Sequence, residues 1–260
     1  MPDLMPLLFV GHGSPMNIVQ TNDFTESLHL AGGKLPKPRL ILCISAHWVT
    51  DGTFVTGAAR PRQLYDFYGF PDELYDVVYG PRGSIQDANH VAGLGSSVPV
   101  TLDARWGIDH GAWAVLKHLY PNNDIPVIQL SLDGNKDEAA HYRLASFLRP
   151  LRSDGVLIIG SGNIVHNLRM ISWQQFGEEP FPWAKRFDEQ VTDALEQRDN
   201  DLMIRYDTWD QEAGVNSVPT NEHYLPLLYV AALRGTAENI TYIHDGFQHR
   251  SISMRSFIVR

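Results

Sequence analysis

The sequence predicts an α/β fold: a single-domain sandwich over residues 1–260, with a central mostly parallel or mixed β-sheet flanked by helices and a C-terminal antiparallel hairpin. Three observations carry that prediction. Residues 40–45, 125–132 and 156–159 are short, near-continuous apolar runs, the composition of parallel strands covered on both faces. Segments with apolar residues at helical spacing alternate with them. No internal repeat, low-complexity tract or polar linker divides the chain, and 260 residues with 43% hydrophobic content supply one large core.

Taken in order, residues 6–10 form a strand ended by Gly11, and a helix from about 23 to 30 stops at Gly32-Gly33. Strands follow at 40–45 and 53–57. Residues 59–81, broken by Pro61, Gly69, Pro71 and Pro81, read as a long aromatic loop or lid. Its Tyr65, Phe67, Tyr68, Phe70 and Tyr75 suit either stacking on a flat ring or covering the sheet edge. A helix at 85–94, a strand at 98–102 and a helix at 113–120, stopped by Pro121, come next. The strand at 125–132 leads to a helix over 136–151, the Asp154-Gly155 turn and the strand at 156–159. An amphipathic helix spans 187–197. The helix at 224–233 begins near His223, because Pro226 belongs in a first turn, where its missing donor costs nothing. Residues 240–244 and 251–259 pair as a hairpin around Asp245-Gly246.

Composition excludes several classes of partner. Lysine and arginine total 21 against 30 acidic residues, a net charge of -9, and no basic stripe interrupts that balance. Nucleic acid and anionic membrane partners are therefore not expected. No apolar run is long enough to cross a bilayer, and Met1-Pro2-Asp3 opens no basic leader, so a cytoplasmic location is expected. Cys43, the only cysteine, forms no internal disulfide and reads as a buried strand residue, so a metal site must be built from imidazole and carboxylate. A monomer or small homo-oligomer is expected, the terminal hairpin offering an edge for pairing.

The chemistry lies in the eleven histidines. Open α/β sheets gather their sites at the strand ends, and His12 follows the first strand by one glycine. His47 lies just beyond the 40–45 run, beside Trp48. His166 follows Gly160-Ser161-Gly162-Asn163 after the 156–159 strand, His223 heads the 224–233 helix, and His110 stands between Asp109 and Gly111. Blander roles exist for each: a turn histidine bonding the backbone for His12, a satisfied carbonyl for His110, turn-stabilising side chains for Asn163 and Asn167. Glu222 favours the positive end of the helix, or reaches a metal or a histidine. Neither glycine-punctuated loop matches a phosphate or dinucleotide fingerprint. His29, His90, His118, His141, His244 and His249 fall on helices or at the hairpin turn, outside the cluster. Three or four neutral imidazoles suit one borderline divalent ion, zinc or ferrous iron, and no organic cofactor is indicated.

Five ordered words resemble the class III extradiol ring-cleaving dioxygenases, within the DOPA-cleaving branch. They are Leu8-Phe9-Val10-Gly11-His12-Gly13-Ser14-Pro15-Met16-Asn17, Ile44-Ser45-Ala46-His47-Trp48, Ile108-Asp109-His110-Gly111-Ala112-Trp113, Gly162-Asn163-Ile164-Val165-His166-Asn167-Leu168 and Glu222-His223-Tyr224-Leu225-Pro226-Leu227. The resemblance covers nearly the whole chain. It implies His12, His47 and His223 as metal ligands, His166 as a fourth ligand or the acid/base, and His110 as a substrate contact. It implies a catecholic substrate and O2, with L-DOPA opened to 4,5-seco-DOPA. Zn2+ is implied as the ion held on isolation and Fe2+ as the ion for turnover. More distant members of the class use two histidines and a carboxylate; here His223 takes the third position, with Glu222 just before it. Two other readings of the same residues are a zinc-dependent hydrolase, in which the metal activates water, and a non-catalytic metal-binding interaction protein of the same fold.

Overall fold

The computed structural model describes residues 4–94, 98–172 and 179–260, so the Met1-Pro2-Asp3 start lies outside the described residues. The strands are β1 (Leu7–Gly11), β2 (Leu40–Thr50), β3 (Thr53–Thr56), β4 (Val100–Asp103), β5 (Val127–Asp133), β6 (Val156–Gly162), β7 (Ile240–His244), β8 (Phe247–Gln248), β9 (Ile252–Ser253) and β10 (Ser256–Val259). The helices are α1 (Asp23–Gly32), α2 (Ile85–Leu94), α3 (His110–Leu119), α4 (Glu138–Ala145), α5 (Arg149–Ser153), α6 (Pro182–Gln197), α7 (Asn200–Ile204), α8 (Gln211–Ser217) and α9 (Leu225–Leu233).

Eight strands form one mixed sheet in the order β4-β3-β5-β2-β6-β1-β10-β7. The four central strands β5, β2, β6 and β1 run parallel, while β10 and β7 are antiparallel additions beyond β1. Strands β1, β5 and β6 are buried along their whole length, which is why their sequences are apolar runs rather than alternations. Their side chains still divide by pleat. Leu7, Phe9, Leu42, Ile44 and Ile158 join the core under α4, α6 and α9. Leu8, Val10, Ile41, Cys43 and Ile159 join the opposite core, under α1 and α3. Cys43 is thus the buried strand residue expected, its thiol pushed up by burial and by Asp109.

Helix α9 is buried on every side and lies directly on β6. That approach requires glycines. A Cβ on Gly160 would stand 2.5 Å from Pro226 O, and one on Gly162 only 2.1 Å from His223 O. The Gly160-Ser161-Gly162 segment is therefore a seat for the α9 entry. Because the parallel strands end along one edge of the sheet, the residues after β1 and β6, the end of β2 and the first turns of α3 and α9 meet there.

Several boundaries depart from the sequence reading. Strand β2 continues to Thr50, with its pairing to β5 shifted between Ile44 and Val49; His47 lies inside this irregularity, not beyond the strand. A helix over 136–151 is not continuous: α4 ends at Ala145, a 3-10 turn covers Ser146–Leu148, and α5 begins at Arg149. Pro150 supplies no backbone donor and so occupies the first turn of α5. Helix α3 begins at His110, where the Asp109 side chain accepts from Ala112 N at 3.1 Å. Helix α6 starts at Pro182, five residues before the expected position. At the C-terminus β7 pairs with β10 as expected, but Gly246 (φ 125°) leads into a second, smaller hairpin, β8 and β9. Its turn holds His249 and Arg250 in the left-handed region. No helix among the described residues is long and apolar enough to cross a membrane.

Candidate metal centre

The five histidines that the sequence singled out converge. His12 leaves β1 with its backbone N–H donating to Gly162 O at 3.1 Å, tying it to the end of β6. His47 projects from the β2 irregularity, His110 is the first residue of α3, and His223 stands two residues before α9. His166 is held by its own N–H, which donates to Ser217 O at 2.9 Å. The rings of His12, His47 and His223 make a near-equilateral triangle, with centroids 5.0, 5.2 and 5.4 Å apart. His110 lies 4.1 Å from His47 and 5.8 Å from His12. His166 stacks on His223 at 3.5 Å, its plane 6° from parallel.

The hydrogen bonds around the triangle assign its tautomers. Ser161 Oγ donates its single proton to Gly111 O at 2.5 Å. Toward His12 Nδ1, 3.0 Å away, it can only accept. His12 therefore carries its proton on Nδ1 and leaves Nε2 bare. His47 Nδ1 faces Asp66 Oδ2 at 3.3 Å, and His223 Nδ1 faces Glu222 Oε1 at 3.2 Å. The hydrogen bond to Glu222 pins His223 as the Nδ1–H form, and the Asp66 carboxylate, near His47 without a hydrogen bond to it, favours a proton on that side of His47 by charge alone. All three inner Nε2 atoms are then lone-pair donors. His12 Nε2 and His47 Nε2 are 3.1 Å apart with no proton assigned between them, and His223 Nε2 is buried with no protein partner. Such a set fits a divalent cation, with the outer nitrogens bonded in the manner of metal-bound imidazoles.

A second grouping is also present. One ring nitrogen each from His12, His47 and His110 lie within 4.8 Å of one another. His110 Nδ1 is 3.0 Å from Asp66 Oδ1, yet too poorly aligned for a hydrogen bond. A three-histidine site able to coordinate a divalent ion is therefore present, with His12 and His47 common to both groupings.

Burial sets the protonation of the cluster. It lowers His12 and His223 well below the ordinary imidazole range, with help from the neighbouring imidazoles. His47 is pushed down to about 3, chiefly by burial and then by His110, against the opposing pull of Asp66. His166 is pushed down to about 4 by burial, against the opposing pull of Glu222. At neutral pH these rings are uncharged bases, the form that binds metal. Burial also pushes Asp66 up, but its bond to His110 and the nearby His110 and His47 outweigh it and hold the carboxyl low. Asp109 is fully buried and raised to about 6 by burial and by Asp66, although Gln129 and Ser45 donate to it at 2.7 Å each.

Asp66 and Gln129 were not singled out from sequence, and Asp109 and Ser161 stood there only as chain neighbours of His110 and His166, without a role. Ser161 had a signal, its two flanking glycines. Asp66 had only its position as a carboxylate between Tyr65 and Phe67. Of the loop aromatics, Tyr65, Phe67, Phe70 and Tyr75 pack with Trp113 over the α3 core. Phe67 also stands edge-on to His110 at 5.4 Å. Tyr68 is 92% exposed and belongs to neither. Asn167 caps the Leu168–Met170 turn as expected, whereas Asn163 stabilises no turn: its Nδ2 donates to Ser253 O and ties the end of β6 to β9. Glu222 reaches its neighbour His223. His141 bonds Tyr229 and Asp133, and His118 bonds Asn17 O, both outside the cluster as expected.

Residues 6–259 match the family described as the catalytic LigB subunit of aromatic ring-opening dioxygenase. The chain is 44% identical over 256 residues to a protein of Escherichia coli K12 named 4,5-DOPA dioxygenase extradiol, covering 97% of this chain and 93% of that one. It is 35% identical over 258 residues to the protein of the same name from Beta vulgaris, covering 96% and 94%. A crystal structure of an uncharacterized protein from Escherichia coli K12 superposes with a TM-score of 0.85 at 41% identity, over 98% of this chain and 99% of that one.

Proposed function

The chain belongs to this family of metal-dependent, extradiol ring-cleaving dioxygenases, and on that premise we propose that His12, His47 and His223 hold a ferrous ion at which a catechol, with L-DOPA the first candidate, is opened by O2. The observation that carries the ligand assignment is the buried, unpartnered Nε2 of His223, whose other nitrogen is pinned by Glu222. Bound ferrous iron supplies the redox chemistry through which catechol and dioxygen react, which a zinc ion would not. Fe2+ is thus the ion for turnover and Zn2+ an ion the same nitrogens would also accept.

His166 acts as the base rather than as a fourth ligand. The His166 and His223 rings lie face to face, 3.5 Å apart and 6° from parallel, so their nitrogen lone pairs run in parallel planes and would not converge as two ligands of one ion. Being neutral and buried, His166 can take a catechol hydroxyl proton and return one to the opening ring. His110, with Phe67 edge-on beside it, holds the other hydroxyl and orients the ring. The expected product from L-DOPA is 4,5-seco-DOPA.

The short nitrogen distances of His12, His47 and His110 favour a second reading, in which His110 is the third ligand. Metal analysis decides between the two. His223→Ala should lose the ion while His110→Ala retains it; the reverse would install His110. The activity test is oxygen uptake with L-DOPA by anaerobically iron-loaded and zinc-loaded protein. Uptake and a yellow ring-opened product only with iron are expected. Iron-loaded protein that leaves both L-DOPA and a small panel of other catechols intact would refute the proposal.

A further inference from the structure

We infer that Asp66 is a positioning residue that couples the aromatic loop to His47 and His110, so that loading the metal centre orders the loop; the inference rests on the ligand set proposed above. The three outer nitrogens are supported differently. Ser161 belongs to β6, and Glu222 is the chain neighbour of His223. His47 alone depends on a loop, residues 59–83, which carries Asp66.

That single carboxylate spans two histidines. Oδ2 stands 3.3 Å from His47 Nδ1, while Oδ1 accepts from the His110 backbone at 2.8 Å and lies 3.0 Å from His110 Nδ1. The loop is fastened on either side of it. Leu64 N donates to Ile108 O at 2.9 Å, and Leu64 O accepts from Trp113 Nε1 at 2.8 Å. Phe67, on the other side, packs edge-on to His110 and against Tyr75. The front of the loop, the start of α3 and a metal ligand thus share one anchor.

A cation on His47 Nε2 draws electron density from the ring and makes Nδ1–H a stronger donor. The attraction between His47 and the Asp66 carboxylate, 3.3 Å away, strengthens when the ion binds, and by linkage the loop's attachment raises affinity for the ion by the same factor. Phe67 and His110, which meet the substrate in the reading above, are fixed by the same event.

The test uses the whole chain, with Zn2+ alone as the probe. Hydrogen exchange of peptides within 60–79 is compared between chelator-treated and Zn2+-loaded protein, for wild type and Asp66→Asn, and Zn2+ affinity is measured by chelator competition. In wild type, Zn2+ should slow exchange across the loop. Asp66→Asn keeps the side-chain shape but replaces one acceptor oxygen with a donor. It should lose about 10–100-fold in Zn2+ affinity, the usual effect of removing an outer partner, and abolish the slowing even when saturated with Zn2+. Asp66→Ala gives the same readouts should the asparagine donate elsewhere. Wild-type affinity and an intact loop response in both variants would overturn the inference. So would lost affinity with the response intact, since Asp66 would then support His47 alone. His223→Ala separates the two proposals: if it too retains Zn2+, the ligand set has failed, whereas loss there beside unaffected Asp66 variants removes only the coupling.

Discussion

Replacing Ser161 with alanine isolates the tautomer assignment from everything else in the site. The side chain is fully buried, accepts from His12 Nδ1 and donates to Gly111 O. Alanine removes both bonds and little volume, leaving the His12 N–H unsatisfied, whereas Gly111 O lies in the first turn of α3 and keeps its place in the helical hydrogen-bond ladder. At about 1–3 kcal/mol for such a group, the metal-free protein should lose about that much stability. His12 has one escape, to move its proton to Nε2, but that removes the lone pair facing His47. Zn2+ affinity should therefore fall about 10–100-fold in addition. Tyr229→Phe is the control, because it strips a hydroxyl from another buried imidazole, His141, 3.0 Å away and outside the cluster. Urea denaturation of chelator-treated protein should register a loss in both variants, and chelator competition a loss of metal affinity in Ser161→Ala alone. Ser161→Ala binding Zn2+ as tightly as wild type would refute the assignment.

The pH response of the metal-free protein has a definite sign. His12, His47, His166 and His223 are held below the ordinary imidazole value, so below about pH 6.5 the unfolded chain takes up protons that the folded chain refuses. Stability should fall from there toward pH 4, each histidine contributing up to about 1.4 kcal/mol per pH unit. Asp109, raised to about 6, works in the opposite direction by binding a proton first in the folded state. A melting temperature unchanged between pH 6.5 and 5 would contradict the burial argument. Gly162→Ala should bring its Cβ against His223 O, where the built distance is 2.1 Å, costing about 1–3 kcal/mol and displacing the ligand. Gly93→Ala, in α2 with nothing within 4 Å, should leave Zn2+ affinity unchanged and hold or raise the melting temperature, since alanine favours the helix by up to about 1 kcal/mol.

What was legible in the sequence follows from what each residue type must do locally. Strands β1, β5 and β6 are covered on both faces, and total burial leaves a composition that needs no partner to be read. Histidines at or near the ends of such strands stand out against them. Pro150 was an equally local signal, and its missing donor should have broken the helix over 136–151. Helices α7 and α8, five and seven residues long, are too short to show a periodic face and are marked only by the capping side chains Asp199 and Asp210. The stretch from Ser45 to Trp48 hid the extent of β2, since its pairing slips where polar residues interrupt the apolar run. Asp66 was the hardest to find. Its partners lie 19 residues before and 44 after it, and no spacing rule connects a loop carboxylate to a strand irregularity and a helix start.

Charge explains why those carboxylates stand behind the imidazoles. A centre of three neutral histidines leaves a divalent ion with its full charge in a buried place, which is costly unless opposite charge lies near. Asp66 and Glu222 supply two negative charges through the Nδ1–H groups of His47 and His223, while His12 meets only the neutral Ser161. With the ligand set proposed here the assembly sums to zero without a carboxylate bound to the ion. Set one bond further out, the charges stabilise the ion while every inner donor remains a nitrogen. The third position is then His223, held by the carboxylate beside it, and Glu222 need not bind the ion to act on it.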